Sequence, residues 1–272
     1  MPETDLNRES LRAAIGESRP WSEILVFDVL GSTNDVAKEE GRRGGSEGLV
    51  VVADEQTAGR GRLERRWIAP AGTSLLCSLL FRPELPLEQA HRLTMICSLA
   101  AADAVEDAAG LKAALKWPND LVISSTLPEA RGGWRKLGGI LTETDLTGEC
   151  LAFVVVGIGI NVNVPADDLP AVDPHATSVL AETGEPVDRT ELLRALLSGV
   201  EARYRRLRRG VSPHREWSER LATLGKAVTA QTPEGKLHGV AEGVDPNGAL
   251  LLRTDDGALR RLMAGDVSLA CA

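Results

Sequence analysis

Short apolar runs separated by polar segments dominate the first 165 residues of the chain. Runs of this kind, bounded by turn-forming residues, are typical of buried strands. They predict strands at 24–27, 49–53, 73–81, 113–117, 121–124, 137–144 and 151–160, with a turn at 145–148. Apolar residues at helical spacing predict helices at 6–15, 35–42, 88–109, 176–182, 189–209 and 213–221. The stretch 165–174 is predicted to be irregular.

The pattern changes near residue 225. From there, short apolar segments are broken at 233–235, 245–248 and 255–257 by groups of Pro, Asp, Asn and Gly. Such closely spaced turns are typical of a small antiparallel barrel. We therefore expect a domain boundary near residue 224, with one domain at 1–224 and a smaller one at 225–272.

Composition restricts the class of protein. The 272 residues are 43% hydrophobic, which is enough for a substantial core. The formal net charge of −8 argues against a dominant nucleic-acid-binding surface, so any basic site must be local. The chain shows no signal-peptide run and no apolar segment long enough for a membrane span, so the expected compartment is the cytoplasm.

The four cysteines are Cys77, Cys97, Cys150 and Cys271. They are far apart and match no metal-ligand spacing, and three of them lie in apolar runs. We expect reduced thiols, mostly in the core.

A glycine- and arginine-rich segment follows the strand predicted at 49–53. It contains Gly59, Arg60, Gly61 and Arg62, and Trp67 lies just beyond it. Glycine lets a backbone approach a ligand closely, and arginine offers planar, permanently charged donors for carboxylate and phosphate. The segment matches neither a Walker A loop nor a dinucleotide-binding turn, so side chains would have to hold any phosphate. A solvated turn is the alternative.

Two lysines lie next to predicted strands. Lys116 follows an apolar strand and precedes Trp117 and Pro118, which stiffens the backbone, and Lys136 opens the strand predicted at 137–144. Asn119 follows the proline and, with the next aspartate, could form an ordinary turn. Surface positions are the alternative for both lysines, but the coincidence of these features in one chain favours an anion site.

Two further segments are candidates for ligand contact. Gly157 and Gly159 interrupt a strand rich in Val and Ile, which weakens it unless a ligand or another backbone must come close. Asn161 would then project a donor and an acceptor from the strand end, although tight strand packing with a turn asparagine is the alternative. Earlier in the chain, Ser32, Thr33 and Asn34 follow the first strand. They could cap a helix, contact a ligand or do both.

The remaining polar residues suggest no separate catalytic site. The four histidines are dispersed and have no neighbouring Ser or Cys motif, so the sequence supports neither a metal site nor a nucleophilic triad. Glu143, Asp54 and Glu55 could orient the arginines from the surface or from behind the ligand contacts.

Five motifs, in this order, resemble those of the biotin–protein ligase family. They are Ser-Thr-Asn at 32–34, Ala-Asp-Glu-Gln-Thr-Ala-Gly-Arg-Gly-Arg at 53–62 with Trp67, Lys-Trp-Pro-Asn-Asp at 116–120, Lys-Leu-Gly-Gly-Ile-Leu at 136–141 and Gly-Ile-Gly-Ile-Asn at 157–161. Their order and spacing agree with the family over about 24–165. The tail from about 225 resembles the family's small C-terminal barrel.

The resemblance implies an α+β fold. Residues 1–224 would form a catalytic domain like that of class II aminoacyl-tRNA synthetases, with a mixed, largely antiparallel sheet flanked by helices. Residues 225–272 would form a small SH3-like β-barrel. The implied enzyme is a biotin–protein ligase, in which the biotin carboxylate attacks the α-phosphate of ATP, pyrophosphate leaves, and a carrier lysine then takes biotin from biotinyl-5'-AMP.

The resemblance also assigns roles to residues. Lys116 and Arg62 would be catalytic, because cations must offset the repulsion between two reacting anions. The biotin-binding residues would be Ser32, Thr33, Asn34, Gln56, Gly59, Arg60, Gly61, Arg62, Lys116 and Lys136. The nucleotide-binding residues would be Arg62, Trp67, Lys116, Asn119 and Asn161. ATP would bring Mg²⁺, bound mainly through its phosphates, and the protein ligands of the metal are unknown.

Two features depart from the family pattern. Leu63 and Glu64 stand where many members continue with a small, basic stretch, which affects how the loop would close. The segment 122–135 is longer than usual and is interpreted as a surface insertion that could contact the carrier.

The expected partner is a biotin carboxyl carrier protein or domain of biotin-dependent carboxylases. About twenty residues precede the first strand, too few for the DNA-binding domain of the repressor members, so a monofunctional ligase without DNA or membrane binding is expected. Two alternatives stay open: a lipoate–protein ligase-like enzyme, whose Arg-Arg-x-x-Gly-Gly-Gly type of loop is absent here, and a non-catalytic sensor of biotin or its adenylate.

Overall fold

Two β-sheets organise the chain. The computed structural model describes residues 6, 9, 11, 21, 23–63, 65–127, 130, 132–232 and 235–263, together with the backbone of 266–269. Most of the helix predicted at 6–15 lies outside the described residues, as do Glu64 and Cys271. No helix in these ranges combines the length and apolar character needed to cross a membrane.

The larger sheet has seven strands and is mixed. They are β1 (Glu23–Leu30), β2 (Leu49–Gln56), β3 (Ser74–Phe81), β4 (Ala114–Lys116), β5 (Asp120–Ser124), β6 (Trp134–Thr147) and β7 (Cys150–Asn161). Their spatial order is β1-β2-β3-β7-β6-β5-β4. Only the β1–β2 pair is parallel, and the other five neighbouring pairs are antiparallel. The mixed, largely antiparallel sheet predicted for the catalytic part is therefore present.

Helices cover both faces of this sheet. They are α1 (Thr33–Arg42), α2 (His91–Ala109), α3 (Leu169–Val172), α4 (Val179–Thr183), α5 (Arg189–Arg208) and α6 (His214–Glu219), with short 3-10 helices at Leu87–Gln89 and Ala166–Asp168. The long helices α2 and α5 pack on the main core. Helix α1 covers a smaller core on the opposite face, around Val51, Phe153 and Val155.

The side chains of β7 alternate between these two cores, as a strand buried on both faces requires. Val154, Val156, Ile158 and Ile160 face the main core. On the other face, Phe153 and Val155 pack against α1, and the positions that continue this face are Gly157, Gly159 and Asn161. The sheet surface beyond α1 is therefore thin, which leaves room for a ligand.

Several predicted boundaries differ from the structure. β2 continues through Asp54 and Glu55 to Gln56, so these polar residues belong to the strand and not to a loop. β6 and β7 reach Thr147 and Cys150, and a register shift after Asp145 lets the strands pass through the turn predicted at 145–148. The stretch predicted to be irregular contains α3, and the next helix begins only at Val179, after Ser178 as its cap.

The smaller sheet is antiparallel and has five strands. They are β8 (Ala227–Thr232), β9 (Gly235–Val244), β10 (Leu250–Thr254), β11 (Leu259–Leu262) and β12 (Asp266–Leu269), in the order β11-β10-β9-β8-β12. Its apolar residues, including Val228, Leu250 and Leu252, join the main core of the larger sheet.

The turn between β9 and β10 docks on the larger sheet at a place we call the junction, formed by Trp117, His91, Trp217 and Gly248. The indole N–H of Trp117 donates to the carbonyl oxygen of Gly248 at 2.8 Å. The ring of His91 meets Trp217 edge-on at 5.5 Å and leaves no space for a side chain at Gly248. A second contact joins His214 Nε2 to the Val244 carbonyl oxygen at 2.8 Å.

Candidate active site

A cavity of about 140 Å³ opens on the face of the larger sheet that carries α1. Its walls come from the start of α1, the end of β2, the segment 60–68, and the strands β5, β6 and β7. Each of these elements carries one of the motifs singled out in the sequence. The fold thus brings together segments that are more than a hundred residues apart.

Glycines make the back wall of the cavity thin. A Cβ atom at Gly157 would overlap the side-chain amide of Asn34, and one at Gly159 would lie 2.8 Å from the Trp67 ring. A Cβ at Gly138 would lie 2.6 Å from the carbonyl oxygen of Gly159. Gly157 and Gly159, where the sequence suggested close approach of a ligand or of another backbone, thus give room to the side chains of Asn34 and Trp67, and Gly138 gives room to the neighbouring backbone.

A buried network fixes the polar residues at the start of α1. Gln56 Oε1 accepts hydrogen bonds from the backbone N–H of Thr33 at 2.8 Å and from its hydroxyl at 3.1 Å. Ser78 Oγ lies 2.7 Å from Thr33 Oγ1 and 2.6 Å from Asn34 Oδ1. With the oxygen of Gln56 held in this way, its amide nitrogen is the end left to donate to a ligand.

Ser32 is the N-cap residue of α1, but its side chain makes no capping hydrogen bond. Its backbone carbonyl accepts from the N–H groups of Asp35 and Val36 instead. Ser32 thus occupies the N-cap position that the sequence offered as an alternative, but its hydroxyl does not cap the helix. Ser32 lines the cavity and is nearly buried.

Two lysines share one carboxylate beside the cavity. Lys136 Nζ lies 2.8 Å from Asp120 Oδ1, and Lys116 Nζ lies 3.5 Å from Asp120 Oδ2. Burial raises the pKa of the Asp120 carboxyl, but the charges and hydrogen bonds of Lys136 and Lys116 outweigh it, so the pKa lies below its usual value. Lys136 and Asp120 line the cavity, whereas Lys116 is not among its lining residues and contacts the shared Asp120.

The glycine- and arginine-rich segment forms a small hairpin over one side of the cavity, which we call the flap (residues 59–67). Arg60 pairs with Arg66 across the hairpin, and the N–H of Gly61 donates to the Arg65 carbonyl oxygen at 2.7 Å. Leu63 lies exposed near its tip with a φ of 54°, a left-handed conformation that suits glycine better. The departure from the family pattern thus introduces local strain into the flap.

Arginine side chains of the flap contact the body of the protein. Arg60 lies 2.6 Å from Asp35 Oδ1 and 3.1 Å from Glu143 Oε2. Arg62 donates to Asn119 Oδ1 at 3.4 Å. Of the three carboxylates suggested to orient arginines, Glu143 orients Arg60, whereas Asp54 pairs with the buried Arg189 at 2.9 Å.

Two polar atoms in the cavity wall are buried and have no hydrogen-bond partner among the described residues. They are the indole N–H of Trp67 and the Oδ1 atom of Asn161. Asn161 Nδ2 donates to the Thr177 carbonyl oxygen at 3.0 Å, which fixes the amide. A bound ligand with matching donor and acceptor groups would satisfy both atoms, since buried polar groups are normally paired.

The structure thus brings most of the predicted site residues to one cavity. They are Ser32, Thr33, Asn34, Gln56, Arg60, Gly61, Arg62, Trp67, Asn119, Lys136 and Asn161. Two predicted residues do not line it. Gly59 lies at the base of the flap, where a Cβ atom would come within 2.5 Å of the Trp67 carbonyl oxygen, and Lys116 lies behind Asp120.

Sequence reasoning missed several residues of the site. Ser78 carries the hydrogen-bond network, and its signal was a polar residue in the middle of the largely apolar strand β3. Val172 and Asp173 line the cavity from the stretch that the sequence marked as irregular, Ala176 lines it from the predicted start of the next helix, and no pattern identified these three residues. Of the described residues, no group of three His, Cys, Asp or Glu side chains could hold a metal ion.

Comparisons with known proteins identify the family. Residues 26–161 match the family model described as the biotin/lipoate A/B protein ligase family, and 223–270 match the biotin protein ligase C terminal domain. The biotin--[acetyl-CoA-carboxylase] ligase of Mycobacterium tuberculosis is 34% identical over 271 residues, covering 96% of this chain and 95% of that protein. The bifunctional ligase/repressor BirA of Bacillus subtilis is 34% identical over 267 residues, which cover 97% of this chain and 79% of that protein.

A solved structure shares the whole architecture. The biotin protein ligase of Aquifex aeolicus in complex with biotin and ATP aligns with a TM-score of 0.73 and 28% identity, covering 92% of this chain and 99% of that one. The family models match parts of both sheets, and the relatives extend along nearly the full chain. The chain therefore belongs to the biotin protein ligase family.

Proposed function

We propose that the protein is an ATP-dependent biotin–protein ligase. It forms biotinyl-5'-AMP from biotin and ATP and transfers biotin to a specific lysine of a biotin carboxyl carrier protein or domain. The observation that carries this proposal is the convergence of Lys136, Arg60 and Arg62 on one cavity that is also lined by glycines. Such a cavity can hold two anionic ligands close together.

The first step joins two anions. A carboxylate oxygen of biotin attacks the α-phosphorus of ATP, and the bond to pyrophosphate breaks. Cations placed at the reacting groups offset the repulsion and the charge that develops on phosphorus, an effect that is strongest where water is excluded. Lys136 is at the cavity surface and would contact the reacting groups directly, and Arg62 would act with it from the flap.

Lys116 keeps a catalytic role in this proposal, but an indirect one in the described geometry. Its charge acts through Asp120, which it shares with Lys136. We therefore rank Lys136 above Lys116 for direct contact, the reverse of the order expected from the sequence.

The remaining residues divide between the two substrates. Ser32, Thr33, Asn34 and Gln56 would hydrogen-bond biotin, because all four line the cavity and the network leaves the amide nitrogen of Gln56 to donate. Gly59, Arg60 and Gly61 would bring the flap backbone and a guanidinium over biotin. Trp67, Asn119 and Asn161 would lie on the nucleotide side. The unpaired N–H of Trp67 and Oδ1 of Asn161 fit a ligand rich in both donors and acceptors, as a nucleotide is.

The second step transfers biotin. The amine of the carrier lysine attacks the acyl carbon of biotinyl-5'-AMP, AMP leaves, and an amide bond forms. The flap can shield the mixed anhydride from water until the carrier arrives. The carriers would be domains of biotin-dependent carboxylases, and the loop between β5 and β6 is a candidate contact, with Leu127 exposed there.

The proposal extends to the type of each domain, to the metal and to the compartment. Residues 1–224 would form a catalytic domain of the class II aminoacyl-tRNA synthetase type, and 225–272 would form a small SH3-like barrel. Mg²⁺ would accompany ATP and be held mainly by its phosphates. Free thiols at Cys77, Cys97 and Cys150, together with the need for ATP, favour the cytoplasm as the compartment.

A direct assay tests the function. The purified protein is incubated with biotin, ATP, Mg²⁺ and a biotin carrier domain, with lipoate as a competing acid, and the carrier is weighed by mass spectrometry. A biotin-sized gain in mass that requires ATP supports the ligase. A lipoyl-sized gain would instead identify a lipoate ligase, and biotin binding without any gain would identify a sensor.

A further inference from the structure

Glu143 lies on β6 behind the cavity wall and joins two residues that line the cavity from different sides. Its Oε2 atom accepts a hydrogen bond from Asn34 Nδ2 at 2.7 Å, and the same oxygen lies 3.1 Å from Arg60 of the flap. Its Oε1 atom pairs with Lys38 of α1 at 2.7 Å. Glu143 itself does not line the cavity. One carboxylate therefore links the rigid wall to the flap.

The carboxyl of Glu143 is built to stay ionised. Burial raises its pKa, but the hydrogen bonds from Lys38 and Asn34 and the charges of Lys38 and Arg60 outweigh burial, so the pKa lies below its usual value. The side chain is only 23% exposed, which limits screening of these interactions by water. Its negative charge is therefore available to Arg60 at neutral pH.

Arg60 has two carboxylate partners, and they differ. Asp35 lies 2.6 Å from the guanidinium, but its side chain is 56% exposed on α1 and makes no described hydrogen bond to Asn34. Glu143 contacts both Arg60 and Asn34, and Asn34 is nearly buried. Asp35 also lies 3.6 Å from Lys38 Nζ. A change at Asp35 should loosen the flap without removing a hydrogen bond from Asn34, whereas a change at Glu143 should affect the flap and Asn34 together.

The geometry points to Glu143 as a positioning residue for the ligase reaction, which holds the flap over biotinyl-5'-AMP through Arg60 and at the same time orients Asn34 toward biotin. This inference rests on the proposed function. It predicts that Glu143 governs how long the intermediate stays on the enzyme and how tightly biotin binds, without touching either ligand. The mixed anhydride reacts with water, so retention by the flap decides whether biotin reaches the carrier.

The test measures intermediate retention. Enzyme is loaded with biotin, ATP and Mg²⁺ without carrier and passed through a rapid desalting column, and the half-life of bound biotinyl-5'-AMP is followed by mass spectrometry. Glu143→Gln keeps the shape of the side chain and removes its charge. We expect the half-life to fall about tenfold, and the biotin dissociation constant measured by calorimetry without ATP to rise about fivefold, as for a partly screened charged hydrogen bond.

Two control variants distinguish a positioning role of Glu143 from a general weakening of the packing between α1 and β6. Asp35→Asn removes the other partner of Arg60, and we expect a shorter half-life with unchanged biotin affinity. Asp145→Asn removes a similar ion pair between β6 and α1, the 3.0 Å contact with Arg42, which has no link to the flap. We expect Asp145→Asn to change neither quantity.

The outcomes are distinct. Unchanged half-life and affinity in Glu143→Gln, beside an active wild type, overturn the inference. Equal changes in Asp145→Asn also overturn it, because they would show only weaker packing of α1 on β6. If Glu143→Gln does not fold, an unchanged half-life in Asp35→Asn overturns the role assigned to Arg60 pairing. A wild type that forms no adenylate refutes the proposed function itself, and the inference with it.

Discussion

The segment 116–120 lies between two regions that are built in opposite ways. On one side is the cavity, where Asp120 is shared by two lysines and Asn119 accepts a hydrogen bond from Arg62. On the other side is the junction with the smaller sheet, where the Trp117 indole donates to Gly248 and the rings of His91 and Trp217 pack edge-on. Neighbouring residues of this one segment thus contact the cavity on one side and the junction on the other.

The difference shows that one region of this protein holds the backbone in place and the other contacts ligands. In the junction, the indole N–H of Trp117 is paired and the rings of His91 and Trp217 pack edge to face, so it can hold the backbone of the segment in place, although His91 Nε2 has no hydrogen-bond partner among the described residues. In the cavity, Trp67 and Asn161 keep unpaired polar atoms, and Lys136 is partly exposed, so these groups remain available to ligands. Changes in the cavity should therefore affect activity, and changes in the junction should affect stability.

The largest effect is expected in the cavity. Lys136→Met removes the charge while keeping most of the apolar stem, and we expect adenylate formation, measured by pyrophosphate release, to fall about a hundredfold. The free energy of unfolding in urea should change by less than about 1 kcal/mol, because Lys116 still neutralises Asp120. The matched variant Lys116→Met should lose about tenfold in rate. If Lys116→Met lost more of the rate than Lys136→Met, Lys116 would be the main catalytic cation, as the sequence predicted.

The next effect belongs to the junction. Gly248→Ala places a methyl group on the His91 ring and forces a φ of 87° on alanine, so we expect unfolding in urea to become easier by about 3 kcal/mol. Gly257→Ala is the control, since its φ is 80° but the surrounding space is open, and it should cost about 1 kcal/mol. Similar losses for both variants would mean that the His91 contact is unimportant.

The junction also predicts a pH dependence. Burial, and next the charge of Arg62, lower the pKa of His91 to about 4, although Asp245 opposes the shift. The unfolded chain binds a proton at higher pH than the folded one, so stability should fall as the pH drops from about 6.5 to about 4, by at most about 3 kcal/mol. His91→Leu should flatten this part of the profile. His238→Gln is the control. If stability depends on pH in His91→Leu as it does in His238→Gln, the pH dependence does not come from His91.

The smallest effect is expected in the flap. Leu63→Gly relieves the left-handed backbone near the tip and should stabilise the hairpin by no more than about 1 kcal/mol. Slower hydrogen exchange at the Gly61 amide, which donates to Arg65, would report this change. Unfolding in urea should hardly respond, because the flap adds little to the core. Exchange at the wild-type rate would show that Leu63 carries no strain.

Much of the fold was predictable because its signals are local. The apolar runs marked all seven strands of the larger sheet, and α2 and α5 ended within a residue of their predicted ends. Predicted strand ends were wrong where pairing with a neighbouring strand extends a strand into polar residues. Gln56, a polar residue expected in a loop, is the last residue of β2 because β1 pairs with it through Leu30. The ladder between β6 and β7 likewise extends beyond the predicted turn.

The sequence by itself determined which segments carry the candidate chemistry, because glycine pairs, strand-end lysines and the arginine-rich hairpin are visible in residue order alone. Only the tertiary structure decided how these groups are arranged. It placed Lys136 on the cavity and Lys116 behind Asp120, made Ser78 and Glu143 the centres of hydrogen-bond networks, and fixed Trp117 to the smaller sheet. The physical reason is that hydrogen bonds and ion pairs depend on distances of about 3 Å, and residues far apart in the chain reach such distances only when the sheet is assembled.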